Sequence, residues 1–386
     1  MMLLTCGLGC LPAVGRSQEQ AVPPKAAMEE SAQPKTVAEQ PASELTKGIR
    51  IQVGKELAGL DISADSKWLY VTSNGDNTLS VIDLAQQKLS RTIKSTYVIN
   101  KNDGCPHNFC RGVGAIGVAV DSTGHYTYVT SMAMDSLAFV DLQSGRVEQT
   151  VKVQRFPQNV ILSPDGQRVY VFNLVANSMS VVDVAARKVL GRPIALTGGS
   201  AENLPFGRPI GMALSADGKR LFVTNALADT IDVFDTESHQ QTGKIEPGGD
   251  AENLQLDPHT GNPIALFNDG IVEYAAQTLK PVVAMRFCTN TTAYDFTVNP
   301  DGNTLALSLA QDNLVVTVDR KTGLVNGAYA AGDWPLALRY TPDGKTLVVL
   351  ATGDSSGAML FDANNHTGAS VFVSTHGELF CKPDGN

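Results

Sequence analysis

A short segment of the form hydrophobic-Tyr-Val-Thr-Asn recurs seven times along the chain and limits its possible folds more than any other feature. The copies begin at Tyr70, Tyr128, Tyr170, Phe222, Ala265, Ala306 and Val348. Successive starts are 58, 42, 52, 43, 41 and 42 residues apart, so four of the six intervals nearly coincide. A near-constant period of this length indicates a repeat architecture in which each copy is one structural unit.

The flanks of these segments repeat as well. Turn sequences such as Ser163-Pro164-Asp165-Gly166 precede several copies, because Pro presets φ and Gly tolerates positive φ. A second alternating run ends in an acid in six copies, namely Asp83, Asp141, Asp183, Asp235, Asp319 and Asp362. A third alternating run closes each unit, and the next unit opens with another. Four short strands per period predict an all-β, seven-bladed β-propeller with four-stranded antiparallel blades.

These residues resemble the YVTN-repeat family of seven-bladed β-propellers over about residues 49 to 376. The resemblance implies the propeller fold and says little about activity. Members include bacterial envelope proteins, and related propellers include lactonases and heavy subunits of quinoprotein amine dehydrogenases. We expect the repeated Tyr and Val to fill the space between blades. We expect the repeated Asp to accept hydrogen bonds from the turn between the third and fourth strands.

Composition excludes several classes of protein. Hydrophobic residues make up 43% of the chain and charged residues 18%, so a folded core is feasible and global disorder is not expected. The net charge of −9 repels polyphosphate, so we expect no general nucleic-acid binding. A few arginines together with Phe156 and Trp334 match only weakly the basic groove with stacking aromatic residues that binds single-stranded nucleic acid. No apolar run reaches 18 residues, so no transmembrane helix is expected.

The N-terminal region differs in kind from the repeats. Residues 1–15 are apolar and are interpreted as an export or lipoprotein signal, with a frayed terminus as the alternative. Cys10 ends a loose lipobox and is the candidate lipidation site, whereas Ala13-Val14-Gly15 would suit ordinary secretion. Residues 16–47 read as a flexible Ala/Pro/Glu-rich tether, and 48–386 as the propeller. The sequence thus predicts a protein of the bacterial periplasm or cell envelope that meets the membrane only through a lipid anchor.

Two insertions direct attention to one face of the predicted propeller. They hold residues 101–114 and 196–207, and both fall between an outer strand and the next inner strand. Loops on one face of a repeat protein often form its binding surface. Candidate ligand-binding residues at this channel mouth are Glu56, His107, Arg111, Phe156, Arg208, Asp250 and Trp334. The alternative interpretation is that these candidates are solvated loop residues without a binding role. A second ring, mostly small or amide, is predicted at Gly59, Gly117, Asn159, Gly211, Asn253, Asp295 and Ala337.

The cysteines outside the signal are even in number. Cys105 and Cys110 lie in one loop and are expected to form a local disulfide, while pairing of Cys288 with Cys381 is plausible. The alternative for the first pair is a metal site that also uses His107. The near-duplicate GG[SD]AENL segments at 198–204 and 248–254 could supply oxygen ligands for Ca²⁺, although repeat ancestry explains them more simply.

The function that these patterns favour is a non-enzymatic scaffold without cofactor or metal. It would bind a protein partner or a small ligand at the insertion-bearing mouth. The alternative is a lactonase-type propeller enzyme or a subunit of a periplasmic quinoprotein redox enzyme, although no recognisable acid–base pair is present. Two segments compete to close the ring, Ile49–Val53 and Ser370–Val373.

Overall fold

The computed structural model describes residues 45–94, 114–198, 211–225, 227–249, 251–288, 292–353, 356–365 and 367–381. Within these ranges the chain forms seven β-sheets, each built on four antiparallel strands, and in six of the sheets these four strands follow one another along the chain. Each inner strand contacts the inner strand of the next sheet, and the last inner strand contacts the first. The sheets therefore stand as blades around a central channel, which confirms the predicted seven-bladed propeller.

The strands are numbered in chain order. The inner strands are β3 (Leu57–Ile62), β7 (Ala115–Val120), β11 (Pro157–Leu162), β16 (Met212–Leu214), β20 (Ala251–Leu256), β24 (Asp295–Val298) and β28 (Pro335–Tyr340). The second strands are β4 (Trp68–Ser73), β8 (Tyr126–Ser131), β12 (Arg168–Asn173), β17 (Arg220–Asn225), β21 (Pro263–Phe267), β25 (Thr304–Leu309) and β29 (Thr346–Ala351).

The third strands are β5 (Thr78–Asp83), β9 (Ser136–Asp141), β13 (Ser178–Asp183), β18 (Thr230–Asp235), β22 (Gly270–Tyr274), β26 (Leu314–Asp319) and β30 (Gly357–Asp362). The outer strands of blades 1 to 6 are β6 (Lys88–Lys94), β10 (Arg146–Lys152), the split pair β14 (Lys188–Val189) and β15 (Ile194–Ala195), β19 (Gln241–Ile245), β23 (Pro281–Arg286) and β27 (Val325–Ala330). Each recurrent Tyr-Val-Thr-Asn segment thus lies on a second strand.

The repeated aromatic position packs between blades, as the sequence predicts. Tyr128 and Tyr170 are about 1% exposed, and Phe222 is fully buried. Tyr70 of blade 1 lies in one apolar cluster with Val118 and Val129 of blade 2. Burying a large side chain contributes about 1.5–3 kcal/mol, so this position holds neighbouring blades together.

The repeated Asp closes the turn that follows the third strand in six of the seven blades, again as predicted. Asp83 Oδ1 accepts a hydrogen bond from the backbone N–H of Gln86 at 2.8 Å, and Asp183 Oδ1 accepts one from Ala186 at 2.7 Å. The same contact, with the residue three positions on, recurs at Asp141, Asp235 and Asp319, and Asp362 accepts instead from the residue two positions on. These acids are structural, because each satisfies a backbone donor of its own turn.

The N-terminal end of the described chain closes the ring. Strand β2 (Ile49–Ile51) pairs with β30 and supplies the fourth strand of blade 7. Strand β1 (Thr46–Lys47), within the range assigned to the tether, runs parallel to β27 and adds a fifth strand to blade 6. Of the two predicted closing segments, the first is therefore confirmed.

The competing segment is not a strand. Residues Ala369–His376 form the helix α1, which lies against β27, and Phe372 is buried in the core of blade 6. The alternating pattern around residues 370–373 is too short to distinguish a strand from a buried helix turn. A single 3₁₀ turn at Ala310–Asp312 is the other helical element of the described residues.

The C-terminal end crosses from blade 6 to blade 5. Phe380 pairs with Phe287 in an isolated antiparallel bridge, and their rings stack with centroids 5.1 Å apart. Cys288 and Cys381 are joined in a disulfide with Cα atoms 4.7 Å apart, as the sequence suggested. Cys105 and Cys110 lie outside the described residues, so their predicted pairing stays a prediction.

Candidate functional site

The two predicted insertions leave from the same end of the inner strands. One connection runs from the end of β6 to Gly114, and the other runs from Gly198 to Gly211. Both lead from an outer strand to the start of an inner strand, so their junctions lie at one mouth of the channel. The candidates within or beside them, His107, Arg111, Arg208 and Asp250, lie outside the described residues.

The three described candidates occupy equivalent places at this mouth. Glu56, Phe156 and Trp334 each stand just before an inner strand, with φ of 52°, 57° and 52°. This left-handed backbone conformation is uncommon for residues other than Gly, and it costs energy unless contacts hold it. The structure thus brings these residues into one ring, as the alignment of the repeats predicted.

An Asn or Asp of the preceding blade holds this conformation. The N–H of Phe156 donates to Asp135 Oδ1 at 3.0 Å, and the N–H of Trp334 donates to Asn313 Oδ1 at 2.8 Å. Both acceptors lie seven residues after a Tyr position, and five repeats carry Asn or Asp at that spacing, namely Asn77, Asp135, Asn177, Asp229 and Asn313. All five have positive φ. The sequence analysis did not identify this link between blades, although the seven-residue spacing is visible in the repeats.

The two aromatic side chains of the ring differ in burial. Phe156 is partly buried and packs against the apolar cluster of Tyr170, Phe172 and Leu174. Trp334 is 47% exposed, and its backbone oxygen accepts a 3.4 Å hydrogen bond from Thr352 Oγ1. Of the two, only Trp334 offers a large open ring face at the mouth.

Small residues in the second ring follow from crowding at the axis. A Cβ on Gly59 would collide with the carbonyl oxygen of Ile116, and one on Gly117 would lie 2.5 Å from the carbonyl oxygen of Gln158. Thr130 Oγ1 donates to that same Gln158 oxygen at 3.1 Å. Neighbouring inner strands therefore approach too closely for larger side chains at these positions.

The far half of the channel contains an open cavity of about 430 Å³. Its polar lining comes from several inner strands and consists of Asp61, Asn159, Asn253, Gln255, Asp295 and Arg339. A volume of this size falls in the range that small ligands occupy. Sequence reasoning placed Asp295 near the channel but missed Asp61, Gln255 and Arg339. The repeat alignment could have identified them, because each stands two residues after a residue of the second ring.

The two carboxylates of the cavity join neighbouring inner strands. Asp61 Oδ2 accepts from the N–H of Val120 at 2.8 Å, which links blade 1 to blade 2. Asp295 Oδ2 accepts from the N–H of Leu338 at 2.9 Å, which links blade 6 to blade 7. Asn253 Nδ2 of blade 5 also donates to Asp295. These contacts make the carboxylates part of the channel wall.

Burial changes the acidity of both groups. Desolvation raises the pKa of Asp295 to about 6, against the opposing effect of its backbone donors and of Arg339. Burial also raises the pKa of Asp61, and Arg339 and the backbone donors act in the opposite direction. The guanidinium of Arg339 makes no hydrogen bond or ion pair with a described residue, so its donors remain open to the channel. The cavity therefore offers one guanidinium and two partly satisfied carboxylates.

Among the described residues, no three His, Cys, Asp or Glu side chains come together in a way that could hold a metal ion. The alternative site at Cys105, His107 and Cys110 lies outside that part of the chain. Nor does any described helix have the length and apolar character needed to cross a membrane.

No protein-family profile matches the chain. Two curated relatives, both named "Uncharacterized protein YncE", come from Salmonella typhimurium and Salmonella typhi. Each is 27% identical over 171 residues, which is 44% of this chain. The match spans 42% of each relative, so the chain covers less than half of the length of these proteins.

Solved structures resemble the chain over most of its length. One is the Kuenenia stuttgartiensis hydrazine synthase, with a TM-score of 0.61, 15% identity, 84% of this chain and 99% of that chain. Another is the β-propeller domain of Myceliophteria thermophila Cps50 (Swd1), with a TM-score of 0.65, 11% identity, 81% of this chain and 97% of that chain. At identities this low, the similarity shows only that these proteins share the fold. The molecule is thus an all-β, seven-bladed propeller, a fold consistent with a binding scaffold.

Proposed function

We propose that the protein is a non-enzymatic binding scaffold that holds a protein partner or a small ligand at the insertion-bearing mouth. The exposed ring of Trp334 carries this proposal. Its backbone is held by Asn313 while its side chain stays open to solvent, an arrangement that keeps a rigid aromatic surface available. Trp is enriched among residues that dominate binding energy, because it buries a large area at low entropic cost.

The neighbouring candidates extend this surface. Glu56 is exposed at the equivalent place in blade 1, next to blade 7. Arg208 and Asp250 belong to the same ring by alignment of the repeats, and a guanidinium can pair with a carboxylate or phosphate. A ligand at this mouth would therefore combine a flat apolar part with charged groups.

Co-purification from producing cells tests the proposal. Trp334→Ala and Arg208→Ala should each weaken capture of a bound species by about 1–3 kcal/mol, the range for a good anchor residue. Leu89→Ala is the matched control, since Leu89 is also an exposed apolar residue but lies on an outer strand. Loss of capture in the control as well, or full capture by both mouth variants, would contradict the proposal.

We further propose export and tethering at the cell envelope, on the basis of the apolar start and the polar segment after it. If Cys10 is the lipidated residue, Cys10→Ala should move the protein from the membrane fraction to the soluble fraction. Unchanged membrane association would exclude Cys10 as the sole anchor.

One observation favours an enzymatic alternative of the lactonase type. Asp295, with a pKa of about 6, could exchange protons near neutrality within the cavity. Such an enzyme should open a simple lactone in a reaction that Asp295→Asn abolishes. Equal rates for the wild type and this variant would remove the one feature that supports catalysis.

A further inference from the structure

We propose that the outer edge of blade 5 binds an extended segment of a partner protein, which adds to strand β23 as a further antiparallel strand. The binding segment would carry apolar side chains in its centre and acidic residues at its C-terminal end, which would lie beside the start of β23. This surface lies on the rim, away from the channel, and does not depend on the function proposed for the mouth.

Apolar side chains gather at this rim. Val282 is 56% exposed, Val283 42%, Leu324 54% and Val373 43%. They account for four of the seven large hydrophobic residues that are exposed in the described chain. A surface that exposes several apolar residues together is typical of an interaction site, whereas single ones are not.

Grooves border strand β23 on both of its faces. Val283, Leu324 and Val373 line a cavity of about 370 Å³ towards blade 6 and helix α1. Ala284 and Arg286 line another of about 550 Å³ towards blade 4. Alternate side chains of a strand point to opposite faces, so a segment added to β23 would place its side chains in these two grooves in turn.

The edge lacks the charges that protect other outer strands. β6 carries Lys88, Arg91 and Lys94, and β10 carries Arg146, Glu148 and Lys152. Charged side chains on an edge strand discourage pairing with another chain. In β23 the first five residues, Pro-Val-Val-Ala-Met, are all uncharged. The edge of β27 in blade 6 is covered by β1 and α1.

The chain itself shows that this edge accepts an antiparallel strand. Cys381 N–H donates to the carbonyl oxygen of Arg286 at 2.8 Å, and Cys288 N–H donates to that of Leu379 at 3.0 Å. By strand alternation, the backbone groups of Ala284 point outward like those of Arg286. In the described residues this part of the edge has no strand beside it. The proposed site therefore continues a pairing that already exists.

Charge at the start of β23 indicates what the bound segment carries at one end. Lys280 precedes β23, and Lys321 lines two of the cavities beside it. Both lysines are exposed, and neither ammonium group forms an ion pair with a described residue, whereas Arg286 is paired with Asp269. Lys280 and Lys321 lie in equivalent turns, between the third and outer strands of blades 5 and 6, so both flank the start of β23. Two cations beside the start of an apolar edge favour acidic residues at the C-terminal end of an antiparallel partner.

Two other occupants fit less well. Continuing the register of Phe287 with Phe380 would set Pro383 opposite Ala284, and Pro has no N–H to donate. Residues 382–386 also carry no large apolar side chain for the grooves. A second copy of the chain, paired antiparallel about a two-fold axis at Val283, would bring Lys280 against Arg286 of the other copy, which is unfavourable in that register.

A synthetic peptide tests the proposal in the full-length protein. The probe is a fluorescein-labelled Glu-Val-Thr-Val-Thr-Val-Glu, titrated by fluorescence anisotropy. Ala284→Pro removes an outward donor, and Val283→Asp places a charge in the groove. Both residues are exposed, so far-ultraviolet circular dichroism should stay unchanged. We expect saturable binding that each variant weakens at least tenfold.

Two controls distinguish strand pairing at the edge of β23 from nonspecific binding of the peptide. Leu89→Asp, an equivalent change on the outer strand of blade 1, should leave binding unchanged. A peptide with Pro in place of both Thr, which cannot complete the strand pairing, should not bind. Absence of saturable binding, or equal binding by Ala284→Pro, would overturn the proposal.

Two further results would also overturn it by identifying another occupant. Binding that appears only after residues 382–386 are removed would assign the edge to the tail of the chain itself. A dimer in solution that Ala284→Pro dissociates would assign it to a second copy.

Discussion

Phe156 and Trp334 occupy the same position in blades 3 and 7, and they differ in a way that separates structure from function. Both have left-handed backbones, and both donate an N–H to an Asp or Asn of the blade before. Yet Phe156 packs into the core between blades, while Trp334 leaves nearly half of its surface in solvent. Position at the mouth alone therefore does not identify a binding residue. Burial and contacts decide which of two equivalent aromatics remains available.

Asp295 in the channel wall is buried, whereas Trp334 at the mouth is exposed. The folded pKa of Asp295 is about 6, above its ordinary 3.8, so the folded state holds this proton more tightly. The contribution of this group to the free energy of unfolding should therefore fall as pH rises from about 4 to 6, by up to about 3 kcal/mol.

Asp295→Asn isolates that contribution. The stability of wild type should fall relative to this variant between pH 4 and pH 7, measured by chemical unfolding at both values. Parallel pH profiles for the two proteins would mean that Asp295 is not desolvated, and that the channel wall resembles the solvated mouth.

Phe156→Ala should destabilise the protein by about 2 kcal/mol, since it removes a partly buried ring from an apolar cluster. Binding at the mouth should be unaffected once unfolded protein is accounted for. Thermal unfolding measures the loss of stability. Unchanged stability, combined with lost binding, would make Phe156 a functional residue like Trp334.

Asn313→Ala should cost about 1 kcal/mol, because the N–H of Trp334 loses its acceptor and the left-handed backbone loses its support. Asp135→Ala is the matched variant at Phe156 and should cost a similar amount. Only Asn313→Ala should also weaken binding at the mouth, because it misplaces the indole of Trp334. Equal effects of the two on binding would remove the distinction between the two aromatics.

Trp334→Ala should change stability least, by no more than about 0.5 kcal/mol, as is usual for exposed surface residues. The measurement is thermal unfolding beside Phe156→Ala. A loss of several kcal/mol would show that the indole is a packing residue.

The sequence predicted the fold well because repeats multiply a weak local signal. Seven copies fixed the number of blades, and the Asp after each third strand was correctly assigned to its turn. Ser370–Val373 was harder, since four residues that alternate in hydrophobicity cannot distinguish a strand from the buried side of α1.

The site was less accessible from sequence. Alignment of the repeats placed Glu56, Phe156 and Trp334 in one ring, but residue type could not say which aromatic is buried. Asp61 and Arg339 are 278 residues apart in the chain and share a cavity only because the ring closes. The edge of β23 drew no attention either, since its exposure depends on which neighbouring elements cover it.

Photo-crosslinking at the mouth in producing cells would show whether Trp334, and not Phe156, contacts a bound partner. A benzophenone-bearing phenylalanine is placed at position 334 in one protein and at position 156 in another, and products are compared by mass spectrometry. We expect a discrete crosslinked species from position 334 and none from position 156. Products from position 156 alone, or none from position 334, would contradict it.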